Sequence, residues 1–212
     1  MDAGILPVKS PRRAKARLAA DLSDEARKQI ADALIEDALD LCGSAPFLRW
    51  WVVSDDDAVR RRARARGFDT VADPGEGLNE ALAIAVQAVS RAGARSTVVL
   101  PVDVPLATSE DIRDLVDTGA TSEVVIVPSE GDGGTNGLYL SPPDIMPPRF
   151  GAGSLNAHVQ TAAAKGLRCS VLVIDRIGLD IDTLADVDAL LDRGPSTSRT
   201  FGLCLSLRRA PA

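Results

Sequence analysis

Aromatic residues, histidine, cysteine and long apolar runs are all scarce in this sequence. Phe, Trp and Tyr make up 3% of the 212 residues, so few rings are available to stack on unpaired bases. The formal net charge of −6 repels phosphate polymers and anionic membrane surfaces. No apolar run approaches the roughly 20 residues that cross a bilayer. The sequence therefore predicts a globular protein without nucleic-acid or membrane partners.

Cysteine and histidine usage restricts the chemistry further. The three cysteines, Cys42, Cys169 and Cys204, lie far apart, which is typical neither of a disulfide framework nor of a zinc site. The chain opens with a very short apolar stretch followed by cations, the reverse of a secretory signal, so we expect a cytoplasmic protein. The single histidine, His158, lies in a predicted helix and is expected to be structural or at the edge of a pocket rather than a catalytic base.

Short apolar runs alternate with helical stretches along the chain. The runs predict seven strands, at 4–8, 49–54, 68–72, 96–101, 123–128, 136–141 and 169–175. Between them, capping residues and glycines predict helices that begin near Ser23, Leu78, Thr108, Leu155 and Thr183. This order predicts an α/β fold with a mostly parallel central sheet and helices on both faces. Ligands of such folds bind at the carboxyl ends of the strands.

Residues 1–194 are predicted to form one domain, because no repeat and no linker divides them. Residues 195–212 have a different composition, which mixes Ser, Thr, Arg and Pro with one short apolar patch. They are predicted to form a C-terminal tail that is either loose or packed onto a neighbour.

A cation-rich loop follows the first predicted strand. It holds five basic residues, at positions 9, 12, 13, 15 and 17, and two prolines. Cations concentrated after a strand indicate a polyphosphate site, although a solvated basic loop also explains this segment taken alone. The spacing is not that of a Walker motif.

Three aspartates stand at predicted strand ends or on extended segments. Asp103 lies between two prolines directly after a strand, and Asp180 and Asp182 lie two residues apart, so their side chains project to the same side. As alternatives, Asp103 serves as a turn residue, and Asp182 with Thr183 caps the next helix. Taken together, the three carboxylates favour a hard, oxygen-binding ion such as Mg²⁺.

Two glycine-rich segments have the composition of anion-binding loops. Residues 131–137 lead into an apolar strand and include the hydroxyl of Thr135, although a hairpin turn is the alternative. Residues 150–156 open a predicted helix with small residues, which present free amides to a carboxylate or a phosphate. No strand precedes this second segment, so its GxGxx spelling is not a dinucleotide fingerprint.

As an ordered set, these motifs resemble one family. The matching segments are PVKxxxxAKxRL at 7–18, the Pro-x-Asp-x-Pro turn around Asp103, Gly-Thr-Asn at 134–136, FGxxS at 150–154 and DxDT at 180–183. The sequence is similar to the guanylyltransferases of coenzyme F420 biosynthesis that act on 2-phospho-L-lactate or phosphoenolpyruvate, from residue 5 to about residue 192. One departure is Ala16, where the family more often has Ser or Thr.

The resemblance implies a single-domain, Rossmann-like nucleotidyltransferase fold of the GT-A type, related to the molybdenum-cofactor guanylyltransferases. It also implies GTP as donor, a phosphorylated three-carbon carboxylate as acceptor, and Mg²⁺ as cofactor. The sequence leaves the oligomeric state open and allows a homodimer. Phosphoenolpyruvate is the first expectation for the acceptor and 2-phospho-L-lactate the second. The alternatives are 3-phosphoglycerate, a sugar-phosphate or cofactor nucleotidyltransferase, and a binding module without catalysis.

The resemblance also assigns roles to individual residues. Asp103 and Lys9 are implied as catalytic, and Asp103, Asp180 and Asp182 as metal ligands. The residues implied in acceptor binding are Lys9, Thr135, Gly151 and Ser154. Those implied in nucleotide binding are Lys15, Arg17 and Asn79.

Overall fold

The computed structural model describes residues 1–10, 15–131 and 133–209. These residues form a seven-stranded sheet in the order β3-β2-β1-β4-β6-β5-β7. The strands are β1 (Asp2–Val8), β2 (Arg49–Ser54), β3 (Asp69–Ala72), β4 (Ser96–Val99), β5 (Val124–Pro128), β6 (Thr135–Leu140) and β7 (Cys169–Val171). Every neighbouring pair is parallel except those of β6, which is antiparallel to β4 and to β5. The prediction of a mostly parallel sheet is confirmed.

The helices are α1 (Asp24–Ser44), α2 (Asp57–Ala65), α3 (Leu78–Arg91), α4 (Ser109–Thr118), α5 (Ser154–Ala164), α6 (Asp175–Gly178), α7 (Leu184–Asp192) and α8 (Arg199–Arg209). The side chains of Ser23, Thr108 and Thr183 accept main-chain N–H groups at the starts of α1, α4 and α7, as their sequence positions predict. A 3₁₀ turn at Ala16–Ala20, α6 and α8 were not predicted. None of the described helices has the length and the apolar character needed to cross a membrane.

Both faces of the sheet are covered by helices, because side chains alternate along each strand. On β1, Leu6 and Val8 face a cluster that includes Ile35 of α1 and Ile112 of α4. Ala3 and Ile5 of β1 face the opposite side, where they pack with α3 and α5. The sheet is therefore the middle layer of three, as the sequence predicts.

Residues 199–209 of the predicted tail form α8, which packs against α1. Phe201 and Cys204 are buried with Ile30 and Leu34 of α1 in a third apolar cluster. The carboxylate of Asp37, also on α1, accepts the main-chain N–H of Thr200 at 2.9 Å and its hydroxyl at 2.7 Å. This segment is part of the packed structure.

The direction of β6 decides which residues reach the carboxyl edge of the parallel strands. Since β6 runs antiparallel to β4, its first residues, Thr135 and Asn136, lie at the edge where β4 ends. The residues after β1 and β4 and those at the start of β6 therefore lie at the same edge of the sheet, where ligands of such folds bind.

Candidate active site

Three aspartates meet at the carboxyl edge of the sheet. Asp103 follows β4, and Asp180 and Asp182 lie between α6 and α7. One carboxylate oxygen of each lies within 4.8 Å of the others. The main-chain N–H of Ile181 donates to the carbonyl of Asp103 at 3.0 Å and so joins the two segments. The structure thus brings together the three residues proposed from the sequence as metal ligands.

The alternation of residues 179–182 explains why both carboxylates are available. Leu179 and Ile181 are buried in the cluster beneath α7, so Asp180 and Asp182 point the other way. The cap of α7 is the hydroxyl of Thr183, paired reciprocally with Asp186. The carboxylate of Asp182 makes ion pairs instead. The helix-cap alternative therefore holds for Thr183 and leaves Asp182 free for the site.

Asp180 is held by two neutral donors. The Asn136 amide nitrogen and the Ser129 hydroxyl both donate to Asp180 Oδ1, each at 2.9 Å. The same Asn136 nitrogen lies 3.0 Å from the carbonyl oxygens of Ile177 and Gly178, so its two hydrogens are shared among three acceptors. Burial, reinforced by the negative charges of Asp103 and Asp182, raises the pKa of Asp180 despite these hydrogen bonds. Sequence reasoning assigned no role to Asn136 or Ser129, although Asn136 belongs to the Gly-Thr-Asn motif.

Lys15 places its ammonium group between two of the carboxylates. Nζ lies 2.8 Å from Asp103 Oδ2 and 3.0 Å from Asp182 Oδ1, and the side chain is only 6% exposed. Burial disfavours the charge, but the two carboxylates outweigh it and raise the pKa of Lys15. Among the described non-glycine residues, Lys15 alone has a positive φ, of 58°, which costs roughly 1–2 kcal/mol. Its nucleotide role stays a prediction.

Arg17 contributes a more exposed cation to the same group. Its Nη1 lies 3.2 Å from Asp182 Oδ2, and its side chain is 67% exposed. Arg12 and Arg13, which belong to the predicted polyphosphate loop, lie outside the described residues.

The arrangement fits a divalent cation. Carboxylate oxygens from three residues converge, and a buried ammonium already spans two of them, so the position attracts positive charge. Hard oxygen donors of this kind suit a hard divalent ion. The residues that could hold it are Asp103, Asp180 and Asp182.

Two clefts flank the carboxylates. One, of about 320 Å³, is lined by Lys9, Lys15 and Asp103 and is walled by apolar residues of α1. The other, of about 460 Å³, is lined by Arg17, Ser129 and Asp180. Asp182 lines both clefts. The carboxylate cluster is therefore accessible from both clefts.

Thr135 and Ser154 lie side by side at the start of β6 and of α5. Both side chains are buried, and the Ser154 hydroxyl donates to Thr135 Oγ1 at 3.0 Å. Gly151 and Gly153 precede α5 with φ values of 128° and 70°, which other residues rarely adopt. The N-terminal turn of α5 therefore meets the first residue of β6, and helix N-termini are favourable positions for anions.

The side-chain amide of Asn79 makes two hydrogen bonds with the main chain of Phe150. Its Oδ1 accepts the main-chain N–H of Phe150 at 2.8 Å, and its Nδ2 donates to the Phe150 carbonyl at 3.2 Å. The structure thus shows Asn79 fixing the loop before α5, and its predicted contact with the nucleotide stays a prediction.

The chain matches, over residues 2–205, the family described as CofC-like guanylyl transferases. It is 36% identical to the phosphoenolpyruvate guanylyltransferase of Chloroflexus aggregans over 182 residues, which are 84% of this chain and 90% of the relative. It is 32% identical to the 3-phospho-D-glycerate guanylyltransferase of Phenylobacterium zucineum over 213 residues, covering 98% and 97%. It is 33% identical to the 2-phospho-L-lactate guanylyltransferase of Methanothermobacter thermautotrophicus over 196 residues, covering 91% and 85%.

Solved structures share the fold at low sequence identity. A nucleotide-diphospho-sugar transferase structure from Desulfovibrio desulfuricans G20 superposes with a TM-score of 0.81 at 19% identity, covering 98% of this chain and 95% of that one. A nucleotidyl transferase from Methanothermobacter gives a TM-score of 0.66 at 17% identity, with coverages of 91% and 97%. The expected nucleotidyltransferase fold is confirmed. With motifs, fold and relatives in agreement, the chain belongs to the CofC-like family of guanylyl transferases.

Proposed function

We propose that this protein transfers the guanylyl group of GTP to a phosphorylated three-carbon acid, with release of pyrophosphate, in the biosynthesis of coenzyme F420. The observation that carries the proposal is the cluster of Asp103, Asp180 and Asp182 between two clefts. The proposal is supported by relatives that are named for this transfer and that align with this chain over most of their length.

The chemistry needs no general base. A phosphate oxygen of the acceptor is already ionised near neutral pH, so it attacks the α-phosphorus of GTP directly. The new bond joins that oxygen to the α-phosphorus, and the bond from the α-phosphorus to the bridging oxygen breaks. Pyrophosphate leaves with that electron pair. A chain whose single histidine is buried and neutral suits this reaction.

Charge repulsion is the main obstacle, since both substrates are anions. Lys9 and Lys15 line the first cleft and Arg17 lines the second, so each cleft offers cations to an anionic substrate beside the carboxylates of the cluster. We assign Lys15 and Arg17 to the nucleotide phosphates and Lys9 to the acceptor and the reacting groups. Asp103, Asp180 and Asp182 would hold Mg²⁺, which, when bound, supplies further positive charge to the phosphates.

We assign the acceptor to the groups around the start of α5, namely Thr135, Gly151 and Ser154. A hydroxyl pair and a glycine-rich helix start suit a small molecule with a carboxylate and a phosphate. Phosphoenolpyruvate is the first choice, since the relatives include enzymes named for it at 36% identity. 2-Phospho-L-lactate and 3-phosphoglycerate have the same charged groups, and other relatives are named for them.

The test is pyrophosphate release by the purified protein with GTP and Mg²⁺, with each of the three acids in a separate reaction. Release should depend on one acid and exceed that of a blank without acceptor. ATP and CTP in place of GTP serve as nucleotide controls. If protein that is shown to bind GTP releases no pyrophosphate with any of the three acids, the proposed acceptor class is rejected.

A further inference from the structure

His158 joins the two parts of the acceptor site through its two ring nitrogens. The ring is fully buried on α5. Its Nδ1 lies 3.1 Å from Thr135 Oγ1, and its Nε2 accepts the main-chain N–H of Arg149 at 2.8 Å. Its ring also meets that of Phe150 edge-on, with centroids 5.7 Å apart. One side chain therefore contacts both β6 and the loop that carries Gly151.

These contacts fix the tautomer of the ring. A main-chain N–H can only donate, so Nε2 has to offer its lone pair. In a neutral imidazole the hydrogen then resides on Nδ1, which donates to Thr135. Burial, together with the positive charge of Arg149, lowers the pKa of His158 to about 4, so the ring is neutral near pH 7.

The tautomer in turn fixes the direction of the Thr135 hydroxyl. Thr135 Oγ1 receives one hydrogen from His158 and another from Ser154, at 3.0 Å. A hydroxyl has two lone pairs and one hydrogen, so both of its acceptor positions are used. Its own hydrogen is left to donate to a third group, and an anionic oxygen is the strongest acceptor that the proposed reaction supplies.

We infer that His158 is a positioning residue, which acts through Thr135 to hold that hydroxyl as a hydrogen-bond donor to the acceptor substrate. This inference rests on the proposed function, because it uses Thr135 as an acceptor-binding group. His158 itself touches neither substrate. Its contacts with Arg149 and Phe150 connect the loop before α5 to the same ring that contacts the Thr135 hydroxyl.

Two substitutions separate the two ring nitrogens. The side-chain amide of His158→Asn reaches the position of Nδ1 and can still donate to Thr135. That of His158→Gln reaches the position of Nε2, where it can accept from Arg149 but cannot donate to Thr135. If His158 served stability alone, both variants should bind the acid with similar loss of affinity. If it positions Thr135, only His158→Gln should bind the acid more weakly.

The experiment measures the KM for the acid and the KM for GTP in wild type and both variants, with a thermal unfolding curve for each. We expect His158→Gln to raise the KM for the acid by roughly 10-fold to 100-fold and to leave the KM for GTP unchanged. His158→Asn should stay within about 3-fold of wild type. Equal changes in the two variants, or parallel changes in both KM values, would overturn the inference. Wild-type turnover on the acid tests the proposed function separately.

A measurement on the wild-type chain without a histidine tag keeps the inference testable if the variants do not fold. Because the sequence has one histidine, the ¹⁵N imidazole spectrum contains a single ring. At pH 7 we expect a neutral ring with its hydrogen on Nδ1. A hydrogen on Nε2, or a doubly protonated ring, would contradict the inference whatever the enzyme assay shows.

Discussion

The ammonium nitrogen of Lys15 lies 2.8 Å from Asp103 Oδ2, although the two residues are 88 positions apart in the sequence. A second contact, to Asp182, makes Lys15 a counter-charge for the cluster of carboxylates. Any cation that enters the cluster has to share the two carboxylates with this ammonium or displace it.

Replacing Lys15 with Met should therefore destabilise the metal-free protein and strengthen metal binding. The two carboxylates lose a shielded partner, which should lower the free energy of unfolding by roughly 1–2 kcal/mol in EDTA. Mg²⁺ should then raise the melting temperature of Lys15→Met more than that of wild type, because it no longer competes with the ammonium. Arg17→Met is the matched control, since Arg17 is exposed and its ion pair contributes little. If Mg²⁺ raised the melting temperatures of Lys15→Met and Arg17→Met by the same amount, Lys15 would not act as a counter-charge.

Removing one charge from the cluster should affect catalysis much more than stability. We expect Asp103→Asn and Asp182→Asn each to lower kcat by about 10²-fold to 10³-fold, as for other lost transition-state electrostatics. Pyrophosphate release at saturating GTP and acid measures this effect. The exposed Asp144 offers a control, because Asp144→Asn makes the same chemical change outside the site. Near wild-type turnover of both cluster variants in Mg²⁺ would remove these carboxylates from the mechanism.

The stability of the protein should depend on His158 between pH 6.5 and about 4. The pKa of His158 falls from 6.5 to about 4 on folding, so in this window the unfolded chain binds a proton that the folded chain does not. Stability is therefore lost as pH falls from 6.5 towards 4, by about 3 kcal/mol at the lower limit, and is unaffected above pH 7.

Urea unfolding at a series of pH values measures this dependence. His158→Gln lacks the titrating ring and should show a shallower slope than wild type across the window. Because the sequence has one histidine, no other imidazole contributes to the difference. Parallel slopes in the two proteins would mean that the folded chain protonates His158 as readily as the unfolded chain does.

Gly4→Ala should destabilise the sheet. Gly4 of β1 is paired with Trp50 of β2, and a Cβ added at Gly4 would clash with the Trp50 ring. The ring is held in place because it is buried and its Nε1 donates to the Ala45 carbonyl. Overpacking of this kind costs about 1–3 kcal/mol. Gly43→Ala is the control, since it meets no atom within 4 Å in α1 and should stabilise the helix slightly.

Local patterns in the sequence predicted much of the fold. The seven strands and the caps at Ser23, Thr108 and Thr183 depend on neighbouring residues, and the structure has them, although β4 and β7 end before the predicted positions 101 and 175. The direction of β6 could also have been predicted. Only residues 129–134 separate β5 from β6, which is too short for a parallel crossover.

The site was predictable only in part. The grouping of Asp180 and Asp182 follows from alternation along one segment. The contacts of Lys15 with two aspartates, and of His158 with Thr135, join positions far apart in the chain. Spacing within one sequence does not encode such pairs, since they result from how whole elements pack. His158 was discounted for the same reason, because its partners belong to another strand and another loop.

The packing of α8 on α1 bears on the order in which the protein is completed during synthesis. Leu34 of α1 lines the cleft that also contains Lys9 and Lys15. Leu34 also packs in the apolar cluster that includes Phe201 and Cys204 of α8. The ribosome makes α1 before α8, so this wall of the cleft lacks the packing of α8 until that helix has emerged. We therefore expect this cleft to take its final form only after α8 has been made, and a chain interrupted before that point would contain every proposed site residue but lack the packing behind Leu34.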